Sequence, residues 1–297
     1  MDRLYLRSKI RGRLPEFRRG EEVNLRVSCQ IMSENRQSVP SHSKTPLVEF
    51  ALPSPLFGLA EDRGSDDPIQ PHHHDSAQLI HASHGVMTVE TDDGLWVVPP
   101  ARAVWVPAFV PHSIVMSGTV RLKTLYLDPA TAPIQGRHCC VVQVSGLLHG
   151  AILRAIAFRQ PYPADGPEAR IAAVIRDEIR AAKTAPLHLP MPNDPRARRI
   201  AIAFRSTPAL RRSRKDWARE AGASERTLER LFHAEVGTSF GKWQQQARLL
   251  RALEILAAGE SVTSTALEVG FETPSAFIAM FRRAMGTTPA RYFQQSD

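Results

Sequence analysis

Four prolines, Pro186, Pro190, Pro192 and Pro195, fall within ten residues of this 297-residue chain. Each fixes φ and removes a backbone donor, so no regular element is expected to run through the segment. The two sides of it read differently. On the N-terminal side Val86-Met87-Thr88-Val89-Glu90-Thr91 alternates, and Asp92-Asp93-Gly94 supplies a turn before Leu95-Trp96-Val97-Val98. Further strands are expected at Ala103–Val106, Val120–Leu127 and Cys139–Val144. Many short strands separated by turns predict a small barrel or sandwich. After Gly146 the period lengthens: Leu147, Leu148, Ile152 and Ile156 share one helical face, and Ile171, Val174, Ile175 and Ile179 another. Beyond Pro195 the chain is helical in pieces.

Charge divides at the same place. The net charge of +8 is a sum of unlike parts: +4 on residues 1–30, −2 on residues 31–193 and +6 on residues 194–297. The basic last third calls for an acidic partner. The Arg-rich start, interrupted by Glu16, Glu21 and Glu22, reads as a disordered tail or as sequence upstream of a true start at Met32. Residues 33–46 are polar, unpatterned and proline-bearing, as a lead-in would be. Cys29, Cys139 and Cys140 make no disulfide framework, which together with the absence of an apolar leader predicts a cytoplasmic protein. No apolar run approaches the length of a membrane span, so no membrane partner is expected.

In the last third, Trp217–Ala221 forms a short helix closed at Gly222 and Ala223, and Ser224 stands where a new helix needs its N-cap hydroxyl. Leu228, Leu231 and Phe232 are expected to pack inward. Arg226, Glu229, Arg230 and His233, at i, i+3, i+4 and i+7, form the opposite polar stripe. The arrangement recurs: Ser261–Val269 as helix, Gly270-Phe271 as turn, then Pro274 in the first turn of a helix whose Phe277, Phe281 and Ala284 are expected inside. Between the units, a helix over Ser239–Ala258 carries Trp243, Ala247, Leu250, Leu253 and Ala257 along one side. Its length, about 30 Å, is close to one turn of B-DNA, so two recognition helices could sit in successive major grooves.

These residues resemble the AraC/XylS transcriptional regulators. The likeness rests on Trp217-Ala218, Gly222, Ser224, Thr227-Leu228, Arg230-Leu231-Phe232, Gly237, Phe240, Trp243, Arg248 and Ala252. In the second unit it rests on Ala266, Gly270-Phe271, Ser275, Phe277, Phe281-Arg282, Gly286, Thr288-Pro289 and Tyr292. It covers about 100 residues and implies binding of a double-stranded DNA operator. On it we place Ser224, Glu225, Arg226, Thr227, Glu229, Arg230 and His233 in the first unit. In the second stand Thr273, Ser275, Ile278, Ala279, Arg282 and Arg283. Ile278 and Ala279 occupy places where the family usually has a small polar residue and an Arg. Ile and Ala can touch a thymine methyl but cannot bond guanine.

Six of the 11 histidines fall between His72 and His112. Pro71-His72-His73-His74-Asp75-Ser76-Ala77-Gln78, with Gly85 seven residues on, resembles a first cupin motif. Ala101 through Pro107 to His112 resembles the second. The resemblance implies that His72, His74, Gln78 and His112 converge in a cavity, as an effector pocket or as ligands of a divalent transition metal. Gln78 stands where the family has Glu. Ala101 and Phe109 replace two glycines, and the bulk of Phe109 is expected to narrow or reshape the cavity wall. His73, His81 and His84 read as surface or packing residues, and Trp96, Trp105 and Tyr126 as core residues that could also line the cavity.

The fold class expected is α+β: a cupin-like β-barrel with a helical appendage, followed by an all-α domain with two helix-turn-helix units. Residues 1–45 are the disordered or upstream segment, 46–145 the sensor, 146–185 a dimerising and coupling region, 186–194 a linker and 195–297 the DNA-binding domain. The function expected is an effector-responsive activator or repressor, a homodimer that meets RNA polymerase if it activates, with no catalytic residue. Two other readings stay open. One is a metal-dependent cupin enzyme with a helical appendage. The other is a constitutive DNA-binding protein with a vestigial cupin.

Overall fold

The computed structural model describes residue 47, residues 51–210 and residues 212–294. The expectations for residues 1–45, including the start at Met32 and the thiol of Cys29, lie outside the described residues.

The first half is a rolled antiparallel sheet. It runs β1 (Leu56–Arg63), β2 (Ile69–His72), β3 (Ala77–Thr91), β4 (Gly94–Val98), β5 (Arg102–Val106), β6 (His112–Leu127) and β7 (Cys140–Gln143). Its spine is the pairing of β3 with β6, with β1 and β2 on the far side of β6 and β5, then β7, beyond β3. Both central strands are longer than their alternation alone indicates, because each bends. The register of β3 against β6 shifts between Ala82 and Val86. There Gly85 adopts φ +78°, and a Cβ on it would lie 2.3 Å from the carbonyl oxygen of Thr119. The bend lets residues 78–81 pair with β5 while residues 87–91 pair with β4. One strand thereby serves both halves of the roll.

Successive residues of β3 serve different layers, and the first half of the strand is buried on both faces. Leu79 joins Trp105 and Leu125 beneath α1 (Gly146–Ile156) and α2 (Pro167–Ala181), which bury Leu148, Ile152, Ile175 and Ile179 there. Each such side chain contributes about 1.5–3 kcal/mol by leaving water. Ile80 belongs instead to a second apolar cluster that continues into the C-terminal helices. Leu147, Leu153 and Val174, on the other faces of α1 and α2, are exposed.

The proline-rich segment departs from expectation. It is not a free linker: β8 (Thr184–Ala185) pairs with β7, and β9 (His188–Pro190) pairs with β4. Strands this short escape the proline restriction because Pro186 falls between them and Pro190 ends the second at a sheet edge. His188 stacks on Trp96, with ring centroids 4.3 Å apart.

Among the described residues seven helices follow: α3 (Pro195–Ser206), α4 (Arg214–Glu220), α5 (Glu225–Val236), α6 (Phe240–Ala257), α7 (Val262–Glu268), α8 (Pro274–Met285) and α9 (Pro289–Gln294). Their starts are written in side-chain caps: Ser213, Ser224, Ser239, Ser261 and Thr273 each accept a first-turn backbone N–H. α5 and α8 stop at Gly237 and Gly286, both left-handed. Phe204, Trp217, Phe232, Phe240 and Trp243 form the aromatic core of the first unit. Ala284, expected inside, is exposed, and Met285 takes the inward place.

α6 departs from the one-sided reading, since Leu249, Ala252 and Ile255 are buried as well as Trp243, Ala247, Leu250 and Leu253. The helix lies between two partners, α5 and α7 of the two units and the strands β3, β4, β6 and β9 of the sheet. A helix covered on both sides needs more than one apolar stripe.

Candidate functional site

His72 ends β2, His74 and Gln78 flank the start of β3, and His112 opens β6. The turn from β2 into β3 and the pairing of His72 with His112 bring these four side chains to one place. One ring nitrogen from each of His72, His74 and His112 lies within 4.8 Å of the others. The ring centroids are 4.4–5.7 Å apart. His74, Gln78 and His112 are buried, and His72 is half-buried.

The hydrogen bonds set the tautomers. Nδ1 of His72 lies 2.8 Å from the carbonyl of Gln70, Nδ1 of His74 2.7 Å from that of Ser76, and Nδ1 of His112 2.9 Å from that of Val110. A carbonyl only accepts, so each Nδ1 carries the proton and each neutral ring keeps a lone pair on Nε2. The rings are held neutral: burial lowers the pKa of all three, that of His112 to about 3, and the neighbouring imidazoles add to this for His72 and His112. Oε1 of Gln78 stands 3.1 Å from Nε2 of both His74 and His112, while its amide nitrogen donates to Thr124 at 2.9 Å. The centre therefore gathers three imidazole lone pairs and one amide oxygen, all acceptors. Acceptors facing one another repel unless a cation stands between them, and main-chain carbonyls on Nδ1 are the usual outer support of ligating histidines. The donor set fits a first-row divalent ion.

Tyr126 closes one side, its ring edge-on to His74 at 5.3 Å, and burial raises its phenol to about 12. Phe109, expected to narrow or reshape the wall, does not bring its bulk into it: it is 57% exposed and turns to solvent. Trp96 and Trp105 are core. His81 is buried, with Nδ1 at the carbonyl of Arg102 and Nε2 at Nδ1 of His149 on α1.

On the helical domain, α5 presents Glu225, Arg226, Arg230 and His233 to solvent. Ser224 and Thr227 are engaged in the cap, where the Ser224 hydroxyl accepts the Thr227 N–H. Glu229 differs from the expectation that it faces DNA. Its carboxylate accepts the N–H of Phe240 at 3.1 Å, at the start of α6, and pairs with Arg214 at 3.3 Å. It ties α5 to α6. On α8, Thr273 is likewise spent on the cap, Ser275, Ala279, Arg282 and Arg283 are exposed, and Ile278 is half-buried against the core.

Residues reading by pattern alone does not find lie between sheet and helices. Thr88 on β3 donates to Glu254 on α6, the Trp243 indole donates to the carbonyl of Pro190, and Arg205 on α3 faces Glu90 at 3.7 Å. Glu254 and Arg251 look like ordinary solvated helix charges in the sequence, so no pattern marks them.

Two family descriptions match the chain: an AraC-like ligand binding domain over residues 55–154 and a helix-turn-helix domain over residues 217–295. The HTH-type transcriptional regulator NimR of Escherichia coli strain K12 is 34% identical over 230 residues, covering 77% of this chain and 84% of NimR. This chain belongs to the AraC family of transcriptional regulators. The HTH-type transcriptional regulator RipA of Corynebacterium glutamicum is 36% identical over 103 residues, 35% of this chain and 31% of RipA. A crystal structure of an AraC-type transcriptional regulator from Chromobacterium violaceum is 28% identical, with TM-score 0.32, over 34% of this chain and 92% of that one. The AraC-family regulator described here thus combines a sheet-rich ligand-binding-type domain with a DNA-binding domain. Among its described residues no helix is long and apolar enough to cross a membrane.

Proposed function

We propose that this AraC-family regulator binds its operator through α5 and α8, with the occupant of the His72, His74, Gln78 and His112 centre setting the affinity. One observation carries the choice of occupant: three Nε2 lone pairs converge within a space sized for an ion, with ring centroids only 4.4–5.7 Å apart. The signal is therefore a divalent first-row transition metal rather than an organic effector seated among the imidazoles. His72, His74 and His112 would hold it, with Gln78 as a neutral oxygen donor. No catalytic residue is assigned, and the protein acts where DNA is, in the cytoplasm.

The exposed Leu147, Leu153 and Val174 support a homodimer through α1 and α2. If the regulator activates, RNA polymerase is a further partner.

The test is metal binding followed by footprinting. Equilibrium dialysis against zinc, nickel and cobalt is expected to give one tightly held ion per chain, lost in His74→Ala and His112→Ala, with cobalt showing the visible bands of a nitrogen-rich site. Metal is expected to change operator affinity. Metal that binds without altering the footprint would point to the constitutive DNA-binding reading; metal-dependent turnover would point to the enzyme.

A further inference from the structure

α5 and α8 are the same device with opposite chemistry. Each is a 12-residue helix, capped by a hydroxyl side chain that accepts from the third residue, and each ends at a left-handed glycine. Counting from the cap gives a one-to-one correspondence on the outward stripe. Arg226 matches Ser275, Glu229 matches Ile278, Arg230 matches Ala279 and His233 matches Arg282.

In a helix-turn-helix unit the first turns of the second helix meet base edges. On α5 those turns present Arg226 and Arg230, both exposed, while Glu229 is held by the N-terminus of α6. An Arg there can bond the O6 and N7 of guanine. On α8 the same turns present Ser275, Ile278 and Ala279. Thr273, the other hydroxyl near them, is committed to the cap. Ile278 leans on the domain core, which holds its side chain in place while part of it stays at the surface. Arg282 and Arg283 lie a turn later and border the same shallow depression. At that distance from the helix start they suit phosphates, which lend affinity without sequence.

We infer that the two units read different chemistry in the two grooves: α5 bonds guanine edges, whereas α8 recognises thymine by its 5-methyl group through Ile278 and Ala279. The operator then has two unlike halves about one helical turn apart, one containing guanine and one rich in thymine. This rests on the reading that both helices enter the major groove.

Replacing thymine by deoxyuridine removes that methyl and nothing else. The operator is first recovered by selection from random DNA with the full-length regulator, and the half under α5 is marked as the one whose protection falls in Arg226→Ala. Deoxyuridine under α8 is expected to weaken binding about fourfold per contacted methyl, the size of effect for burying one such group. Under α5 it should have no effect. Ala279→Arg, at an exposed position that tolerates a long side chain, should abolish the uracil sensitivity and bring guanine into the α8 half. Ile278→Ala should reduce the sensitivity, and Ala279→Arg keeps the test valid if that variant does not fold. A specific footprint indifferent to deoxyuridine in both halves overturns the inference while leaving operator binding intact. Absence of any specific footprint overturns both.

Discussion

Thr88 in the middle of the sheet donates a 2.7 Å hydrogen bond to Glu254 on α6. The same carboxylate receives Arg251 at 3.1 Å, and Arg251 reaches Glu268 on α7 at 3.2 Å. A polar ladder thus runs from a sheet strand, through the helix between the two DNA-binding units, into the second unit. Helices α1 and α2, in the region expected to couple the domains, pack on the other side of the sheet with Trp105 and Leu125. A hydrogen bond to a charged group contributes roughly 1.5–3 kcal/mol. Thr88→Val, which keeps the shape, is expected to lower the unfolding free energy by about that amount, read as a lower urea midpoint at unchanged slope, and to shrink the difference in operator affinity between metal-free and metal-loaded protein. An unchanged affinity ratio would show that coupling takes another route.

Ala101 and Phe109 occupy the two places where glycines were expected, and both have positive φ, +60° and +63°. Each is the third residue of a tight turn, closed from Arg102 to Pro99 and from Val110 to Pro107. Such a turn favours glycine there. A left-handed non-glycine residue costs about 1–2 kcal/mol, and glycine's extra chain entropy returns about half of that. Ala101→Gly and Phe109→Gly should therefore each raise stability by about 0.5–1 kcal/mol, seen as a higher melting temperature.

His81 makes stability depend on pH. Burial, with His149 and Lys123 nearby, lowers its pKa to about 4, against the pull of its bond to the Arg102 carbonyl. The unfolded chain then takes up the proton first as pH falls. The stabilisation is complete above about pH 6.5 and drains away toward pH 4, by about 3 kcal/mol over that window. His81→Asn keeps a donor for Arg102 and does not titrate, so its denaturation midpoint should lose part of this slope between pH 6.5 and 4.

Glu229 and Arg226 share a helical stripe and should separate experimentally. Glu229→Ala frees the Phe240 N–H and should cost about 1 kcal/mol of stability, as loss of a cap does, with base preference unchanged. Arg226→Ala and Arg230→Ala should leave the melting temperature alone and weaken operator binding by about 1–3 kcal/mol each. Unchanged footprints in both Arg variants would remove α5 from the operator.

Much of this was legible along the chain because its causes are local. Ser224 before Glu225 is a cap whatever surrounds it, Gly237 and Gly286 end helices because they can turn left-handed, and the step from period 2 to period 3.6 marks where sheet gives way to helix. The recurring helix-turn-helix pattern belongs to the same class, whereas the meeting of His74 with Gln78 follows from the likeness to the cupin motif and not from their spacing.

What only the tertiary structure decided involves partners remote in sequence. Glu229 reads as a groove-facing charge until the N-terminus of α6 arrives to claim it, and Phe109 reads as a cavity wall until its turn points it outward. The sides of α6 beyond its apolar stripe have no visible purpose until the sheet covers them. Thr88 and Glu254, 166 residues apart, follow no spacing rule. Periodicity and caps record what a residue needs from its own helix or strand; which neighbour satisfies the rest is settled only when distant surfaces pack.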